Sequence, residues 1–368
     1  MAHVQKICID SFRGIRSLEL SKLSGINIIT GDNNCGKTSV LEVMESFRQP
    51  DDIRTWRSLI RKSSGEAPNR GMTLYEGFCD LFDINSEEKH LKYAITIDGR
   101  EEMLEVLAKE SEDEMLESKY NALLGVLSRA SKEEYVDLLQ LVTKIEIEIL
   151  LNGECMVKEN IYEGQRFLSG PLKRGLPKYK KNITYISPSR HAEGNIFLNQ
   201  VLDHPDLYEE MLMVLKEYDS DIISINYDNE SNGSVGRGVY KILSKAHKKA
   251  LPLNVYGDGM KKAILLMSAV IQAKDGILLL DEFETAIHTS AMNKTFKWIL
   301  ETCKRLNVQV LMTSHSKEAI DKVLKCAPSL MDDMAVYTMY KEADSVSVRR
   351  LEARKAIEAQ DEMGLELR

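Results

Sequence analysis

Residues 26–47 read Ile-Asn-Ile-Ile-Thr-Gly-Asp-Asn-Asn-Cys-Gly-Lys-Thr-Ser-Val-Leu-Glu-Val-Met-Glu-Ser-Phe. A short apolar strand runs into Gly31-x-x-x-x-Gly36-Lys37-Thr38, and an amphipathic helix follows. That strand–loop–helix context is the one a Walker A phosphate loop requires. The glycines let the backbone N–H groups of Gly31, Asp32, Asn33, Asn34, Cys35 and Gly36 turn inward around a β-phosphate. The positive end of the helix, at Lys37, Thr38 and Ser39, points to the same place. Lys37 is expected to reach the β- and γ-phosphates and the Thr38 hydroxyl to ligate Mg²⁺. The expected ligand is a nucleoside triphosphate, written here as ATP with Mg²⁺. Cys35 lies within this loop near a helix N-terminus. Such a position can lower a thiol pKa, while a small residue tolerated at a variable position is the blander reading.

Three further segments are consistent with the same chemistry. Ile277-Leu-Leu-Leu280-Asp281-Glu282 is a hydrophobic strand ending in two acids, a Walker B pattern. Asp281 is expected to hold Mg²⁺ through water, and Glu282 to orient the attacking water as a base. Val308–Thr313 is a second buried strand and ends in Ser314-His315-Ser316. A histidine at the carboxyl end of a strand beside Walker B is placed to meet a γ-phosphate. Upstream, Gly257-Asp258-Gly259 opens a helix, which exposes backbone N–H groups and a positive helix end.

The chain has 368 residues, 43% hydrophobic and 29% charged, enough for a large globular core. No apolar leader and no run of about 18 apolar residues is visible, so no secretion signal or membrane span is expected. The six cysteines form no CxxC pair, which argues against a zinc site or a disulfide framework and suits a reducing cytoplasm. A net charge of −8 weighs against nonspecific coating of nucleic acid. Charge is uneven, however: residues 101–118 carry eight acids and one lysine, and residues 173–181 carry five bases around Tyr179. The basic run is either a phosphate-backbone contact or a solvated loop.

Residues 4–10 and 16–20 alternate as a hairpin around Phe12-Arg13-Gly14. Residues 50–70 are polar and read as a loop, and 91–97 as a strand closing at Asp98-Gly99. From 101 to about 140, Leu104, Leu107, Met115, Leu123, Leu124 and Leu127 recur at helical spacing, which predicts an insertion of two or three short helices. A hairpin is expected at 143–162 with Asn152-Gly153 at its turn, a buried strand at 183–186, and helices over 191–218. Residues 222–242 read mostly as strand, with Gly233, Gly236 and Gly238 in a turn. Beyond 259, helix and strand alternate, the mark of a largely parallel sheet. The expected fold class is α/β, with an antiparallel β lobe and a helical insertion. The expected divisions are residues 1–100, an insertion at 101–165, and 166–368.

Taken in order, these segments resemble the SMC/RecF-like branch of ABC-type P-loop ATPases, near the stand-alone AAA-labelled ATPases and the ATPase half of OLD-family nucleases. The matching residues are Phe12-Arg13-Gly14-Ile15, Gly31–Ser39, Tyr256–Lys261, Leu280–His288 and Thr313–Ser316. The resemblance covers most of residues 1–50 and 180–340. It implies that Gly257, Asp258 and Gly259 form a signature that binds the γ-phosphate of a partner subunit's nucleotide, and that His288 lies at the interface. The chain departs from the commoner signature at Tyr256, where many ABC proteins have serine, and at Asp258. No glutamine marks a Q-loop at Ser187-Pro-Ser-Arg190, and no Toprim-like nuclease module follows His315.

The resemblance therefore implies an ATPase that forms a head-to-tail homodimer. In that reading, ATP gates a separately encoded effector such as a Toprim-like nuclease, in anti-phage defence or genome maintenance. A RecF-like DNA-binding clamp in DNA repair is the alternative; Arg54, Arg57 and Arg61, Lys245, Lys248 and Lys249, and the run 173–181 would carry it. A transporter subunit is disfavoured because no membrane segment is seen. A small-molecule kinase would lack the order signature, Walker B, His315.

Overall fold

The computed structural model describes residues 2–60, 72–125, 137–166, 178–188, 198–228, 239–285, 287, 289–341 and 345–363. A hairpin of β1 (Val4–Phe12) and β2 (Ile15–Ser21) leads to β3 (Ile26–Gly31) and α1 (Lys37–Ser46). Helices α2 (Ile53–Leu59) and α3 (Leu74–Cys79) precede β4 (Lys89–Ile97), β5 (Arg100–Leu116), α4 (Glu117–Leu124), β6 (Leu139–Leu151) and β7 (Glu154–Tyr162). After β8 (Ile183–Ile186) come α5 (Leu198–Leu202), α6 (Pro205–Leu215), β9 (Ile222–Asp228), β10 (Val239–Ser244), β11 (Leu251–Pro252) and α7 (Asp258–Gln272). The alternating last third holds β12 (Ile277–Leu280), α8 (Thr289–Arg305), β13 (Gln309–Thr313), α9 (Lys317–Cys326), β14 (Met334–Lys341), β15 (Val346–Glu352) and α10 (Ala353–Met363).

The strands form three sheets. The core sheet has the order β15-β14-β3-β13-β12-β8, parallel throughout except for β15 at one edge. A second six-stranded sheet, β2-β1-β4-β5-β6-β7, is antiparallel at every pairing. The third, β11-β10-β9, is a small antiparallel sheet. Core-sheet strands are apolar on both faces because both faces are covered. Ile26, Ile28, Leu278, Leu280, Val310 and Met312 turn to a core built with the later helices. Their neighbours Ile29, Ile277, Leu279 and Leu311 turn to a core shared with the antiparallel sheet. The period of two along each strand assigns these faces.

Helix α1 lies in that second core, and every residue from Ser39 to Ser46 is buried. A helix buried all round is normally apolar all round, yet this one carries Glu42 and Glu45. Both are paired: Arg13 Nε donates to Glu42 at 3.0 Å, and Arg48 Nε lies 2.8 Å from Glu45. Ser46 accepts from the Tyr93 hydroxyl of the antiparallel sheet at 2.9 Å. The helix that follows the phosphate loop is thereby fastened to the antiparallel sheet.

Residues 101–116 are not helical. They form the strand β5, which pairs with β6 over its outer length from Leu104↔Leu151 to Leu116↔Leu139. Only 117–124 of the expected helical insertion is a helix among the described residues; 126–136 lie outside them. Glu, Leu and Lys suggested helix, but Leu104 and Val106 are buried and Leu107 is exposed, a period of two. Cross-strand pairing along a solvated acidic face overrode local propensity. The stretch 50–70 also departs from a plain loop. Asp52 caps α2 by accepting from Arg54 N–H, and Trp56 packs fully buried with its indole N–H on the Pro50 carbonyl. The expected hairpins at 4–20 and 143–162, the strand at 91–97 closing at Asp98-Gly99, and the helix–strand alternation after 258 are present. Gly233, Gly236 and Gly238 lie outside the described residues.

Gln309 joins the two large sheets. Its amide accepts from Val4 N–H at 2.7 Å and donates to Val4 O at 2.8 Å and Ser24 O at 2.9 Å, all at a fully buried site. Gln309→Ala would remove the buried partner of the Val4 N–H and carbonyl, and should cost about 3 kcal/mol of unfolding free energy in a urea titration. Loss of less than about 0.5 kcal/mol would show that water replaces the clamp.

Candidate active site

The carboxyl ends of β3, β8, β12 and β13 share one edge of the parallel sheet, the edge at which α/β sheets place ligands. The phosphate loop leaves β3 through Gly31, at φ 142°. A Cβ there would sit 2.2 Å from the Met339 carbonyl oxygen of β14, so glycine is the residue that permits this close approach. Asn34 (φ 63°) and Gly36 (φ 97°) complete the turn into α1. Lys37 Nζ folds back over the loop and donates to the carbonyls of Gly31 and Asp32, each at 2.8 Å. Cys35 is 1% exposed, with Sγ 3.9 Å from Nζ. Burial raises its thiol pKa, outweighing the nearby Lys37 charge, so the helix terminus does not make it a reactive thiolate.

Asp281 follows β12 and is 1% exposed. Three hydroxyls from three other segments converge on it. Thr313 Oγ1 donates to Oδ1 at 2.6 Å, Thr38 Oγ1 donates to the same oxygen at 3.2 Å, and Tyr185 Oη donates to Oδ2 at 3.3 Å. Burial pushes the Asp281 carboxyl above its ordinary pKa, and the charges of Glu282 and Glu42 push the same way against the two threonine bonds. A hydroxyl and a carboxylate in contact are hard oxygen donors, the kind that Mg²⁺ takes beside phosphate oxygens.

Glu282 has φ 47°, a left-handed backbone that non-glycine residues rarely adopt. Its N–H donates to Thr313 Oγ1 at 2.8 Å, and its carbonyl accepts from the N–H and Oγ1 of Thr285, each at 2.9 Å. The strained residue is thus held from both sides. His315 follows β13; its N–H and Nδ1 lie 2.9 and 3.0 Å from Glu284 Oε1. The start of α7 lies elsewhere in the chain. Gly257 is its N-cap, no side chain caps it, and open space surrounds the position of a Cβ on Gly257. Asp258 is exposed and paired with Lys261 at 2.7 Å, which holds its carboxyl below the ordinary range.

Within hydrogen-bonding distance, then, the structure brings together Thr38, Asp281 and Thr313, and Glu282 with Thr313; it gives no direct contact of Gly257–Gly259 with this group. Three side chains escaped the sequence reading in this role: Tyr185, Thr313 and Glu284. Thr313 directly precedes the recognised Ser314-His315, and Glu284 lies two residues past Glu282, so proximity to a motif was the available signal. Tyr185 had none beyond its buried strand. His288, Ser189 and Arg190 lie outside the described residues.

A family model described as "AAA ATPase domain" matches residues 3–146, and one described as "AAA domain, putative AbiEii toxin, Type IV TA system" matches residues 157–321. A Helicobacter pylori protein named ATP/GTP phosphatase is 23% identical over 343 residues, 86% of this chain and 86% of that protein. The uncharacterized protein MJECL10 of Methanocaldococcus jannaschii is 50% identical over 90 residues, 23% of this chain and 38% of that protein. A solved Smc head, bound to the C-winged helix domain of ScpA, shares the fold at a TM-score of 0.53 and 12% identity, covering 97% of this chain and 99% of that one. The phosphate loop at the end of a parallel core strand and these similarities define a P-loop ATPase of mixed α/β fold. Within that class, two AAA-type family models match successive parts of the chain, and the fold is similar to that of an Smc head.

The raised carboxyl of Asp281 has a pH consequence. A carboxyl whose folded pKa lies above its unfolded value, about 4, contributes stability that is full below that value and is lost as pH rises through the folded pKa. Without nucleotide and metal, Asp281→Asn should flatten the fall in unfolding free energy as pH rises above about 4. Identical pH slopes for the two proteins in urea titrations would mean that the carboxylate is not strained by burial.

Proposed function

We propose that this ATPase uses ATP to assemble two copies of the chain head to tail, and that hydrolysis takes them apart. The observation that carries this reading is the uncapped start of α7. Its first N–H groups need acceptors, and no side-chain cap supplies one. An exposed helix N-terminus with neighbouring glycines suits a phosphate, and the resemblance assigns it the γ-phosphate bound by the partner copy. Lys261 neutralises Asp258 at this point, which reduces repulsion of an anion.

In the phosphate loop, Lys37 would exchange its bonds to the Gly31 and Asp32 carbonyls for phosphate oxygens. Thr38 and Asp281 would hold Mg²⁺, Asp281 through water. Bound there, the cation supplies neutralisation of charge on the β- and γ-phosphate oxygens. Glu282 accepts the proton of the attacking water. His315 meets the γ-phosphate. The assembled pair gates a separately encoded effector; a Toprim-like nuclease in anti-phage defence or genome maintenance is the class that the resemblance offers.

Glu282→Gln should bind ATP but not turn it over, so with ATP and Mg²⁺ its mass by light scattering should double from 41.8 kDa. Adding Gly257→Glu should return it to one copy while ATP still binds. A Glu282→Gln protein that remains a single copy at saturating ATP sinks the sandwich. Lys37→Ala should weaken ATP binding about 100-fold, the loss expected for a charge-assisted phosphate contact. Unchanged affinity would remove the loop from the binding site.

One observation favours a second reading. Lys245, Lys248 and Lys249 are exposed on the turn between β10 and β11. Duplex DNA binding that requires ATP and weakens steeply with salt would support a DNA clamp. Equal binding with and without ATP would count against it.

A further inference from the structure

Glu284 sits in the single-turn helix Phe283–Thr285 that follows Asp281 and Glu282. That turn is fixed on several sides. Phe283 is fully buried, with its ring edge against Phe296 at 5.1 Å between centroids. Thr285 donates twice to the Glu282 carbonyl, and its own carbonyl accepts from Lys262 Nζ of α7 at 2.7 Å. The Glu284 side chain is 11% exposed, against 51% for His315. Its Oε1 takes both the His315 backbone N–H and Nδ1, while Oε2 is buried with no hydrogen-bond partner among the described residues.

A carboxylate only accepts hydrogen bonds, so a proton shared across the 3.0 Å between Oε1 and Nδ1 comes from the ring. With Nδ1 committed, Nε2 is the nitrogen left for a ligand. In the neutral ring Nε2 accepts; in the imidazolium it donates, and the buried carboxylate offsets the added charge. A half-exposed imidazole without this partner would sample both tautomers and several ring orientations.

We propose that Glu284 is a positioning residue for ATP hydrolysis, fixing the ring of His315 so that Nε2 faces the γ-phosphate. This rests on the reading above that His315 meets the nucleotide. Glu284 acts through His315 and touches no reacting atom itself.

Steady-state hydrolysis by the full chain tests this, with ATP binding and thermal unfolding of each variant measured alongside. Glu284→Ala should lower kcat about 10–100-fold, the usual range for partners that orient a working histidine, with ATP affinity nearly unchanged. Glu284→Gln keeps an acceptor for Nδ1–H and should recover most of that loss. His315→Ala should itself be impaired, and Glu284→Ala added to it should lower kcat no further, because residues acting as one unit are not additive. If the two losses multiply, Glu284 serves the fold and the proposal is overturned. If His315→Ala turns over at the parent rate, the role of His315 falls and the proposal falls with it. Hydrolysis by the parent, lost in Lys37→Ala, keeps either failure separate from the ATPase activity.

Discussion

The buried carboxylate of Asp281 is the interaction on which the site depends. It collects a hydroxyl from the first turn of α1, one from the end of β13 and one from β8. Each donor belongs to a different segment, so the carboxylate measures whether the phosphate loop and the two strands flanking β12 are in register. Its burial without a cationic side chain is unfavourable, as the raised pKa records. A cation arriving with the nucleotide would relieve that cost. In the reading proposed above, occupancy would stabilise this edge and link nucleotide binding to the order of the four strand ends.

Thr313 extends this linkage to Glu282. One hydroxyl donates to Asp281 and accepts from the Glu282 N–H, whose residue is held in a left-handed conformation. The turn after Glu282 then binds α7 through Lys262 and His315 through Glu284. Helix α7 and the candidate catalytic groups thus share a single short turn. On the opposite side, Arg13 reaches from the β1–β2 turn to Glu42 of α1, at a positive φ of 52°. The phosphate-loop helix is keyed to the antiparallel sheet by an ion pair with little exposure on either partner, and breaking such a pair leaves a buried charge.

Much of this could be read from residue patterns. Gly31–Thr38, Asp281–Glu282 and His315 stood out because each follows a short apolar strand, and the structure puts them at the ends of β3, β12 and β13. The turns at Phe12–Ile15, Asp98–Gly99 and Asn152–Gly153 were recognisable because tight turns demand particular backbone angles, and Arg13, Asp98 and Asn152 all have positive φ. The acidic stretch at 101–116 was misread. Its Glu, Leu and Lys residues satisfy helical composition, and the partner of its outer half, residues 109–116, lies more than twenty residues further on. Helix α2 was missed for a related reason: its seven residues are too few to show a period, and Trp56 is fixed by burial.

The sequence by itself determined the nucleotide loop, the alternation of the core strands and the acids after β12, since each depends on neighbours along the chain. Only the tertiary structure decided that Tyr185, Thr38 and Thr313 share one carboxylate, that Gln309 clamps β1, and that Glu284 holds His315. Those contacts join residues 31 to 305 positions apart, and a hydrogen bond over that separation depends on where packing puts the strands. Packing likewise set the pKa of Asp281 and Cys35, because burial is a property of the assembled sheets and helix and not of any segment alone.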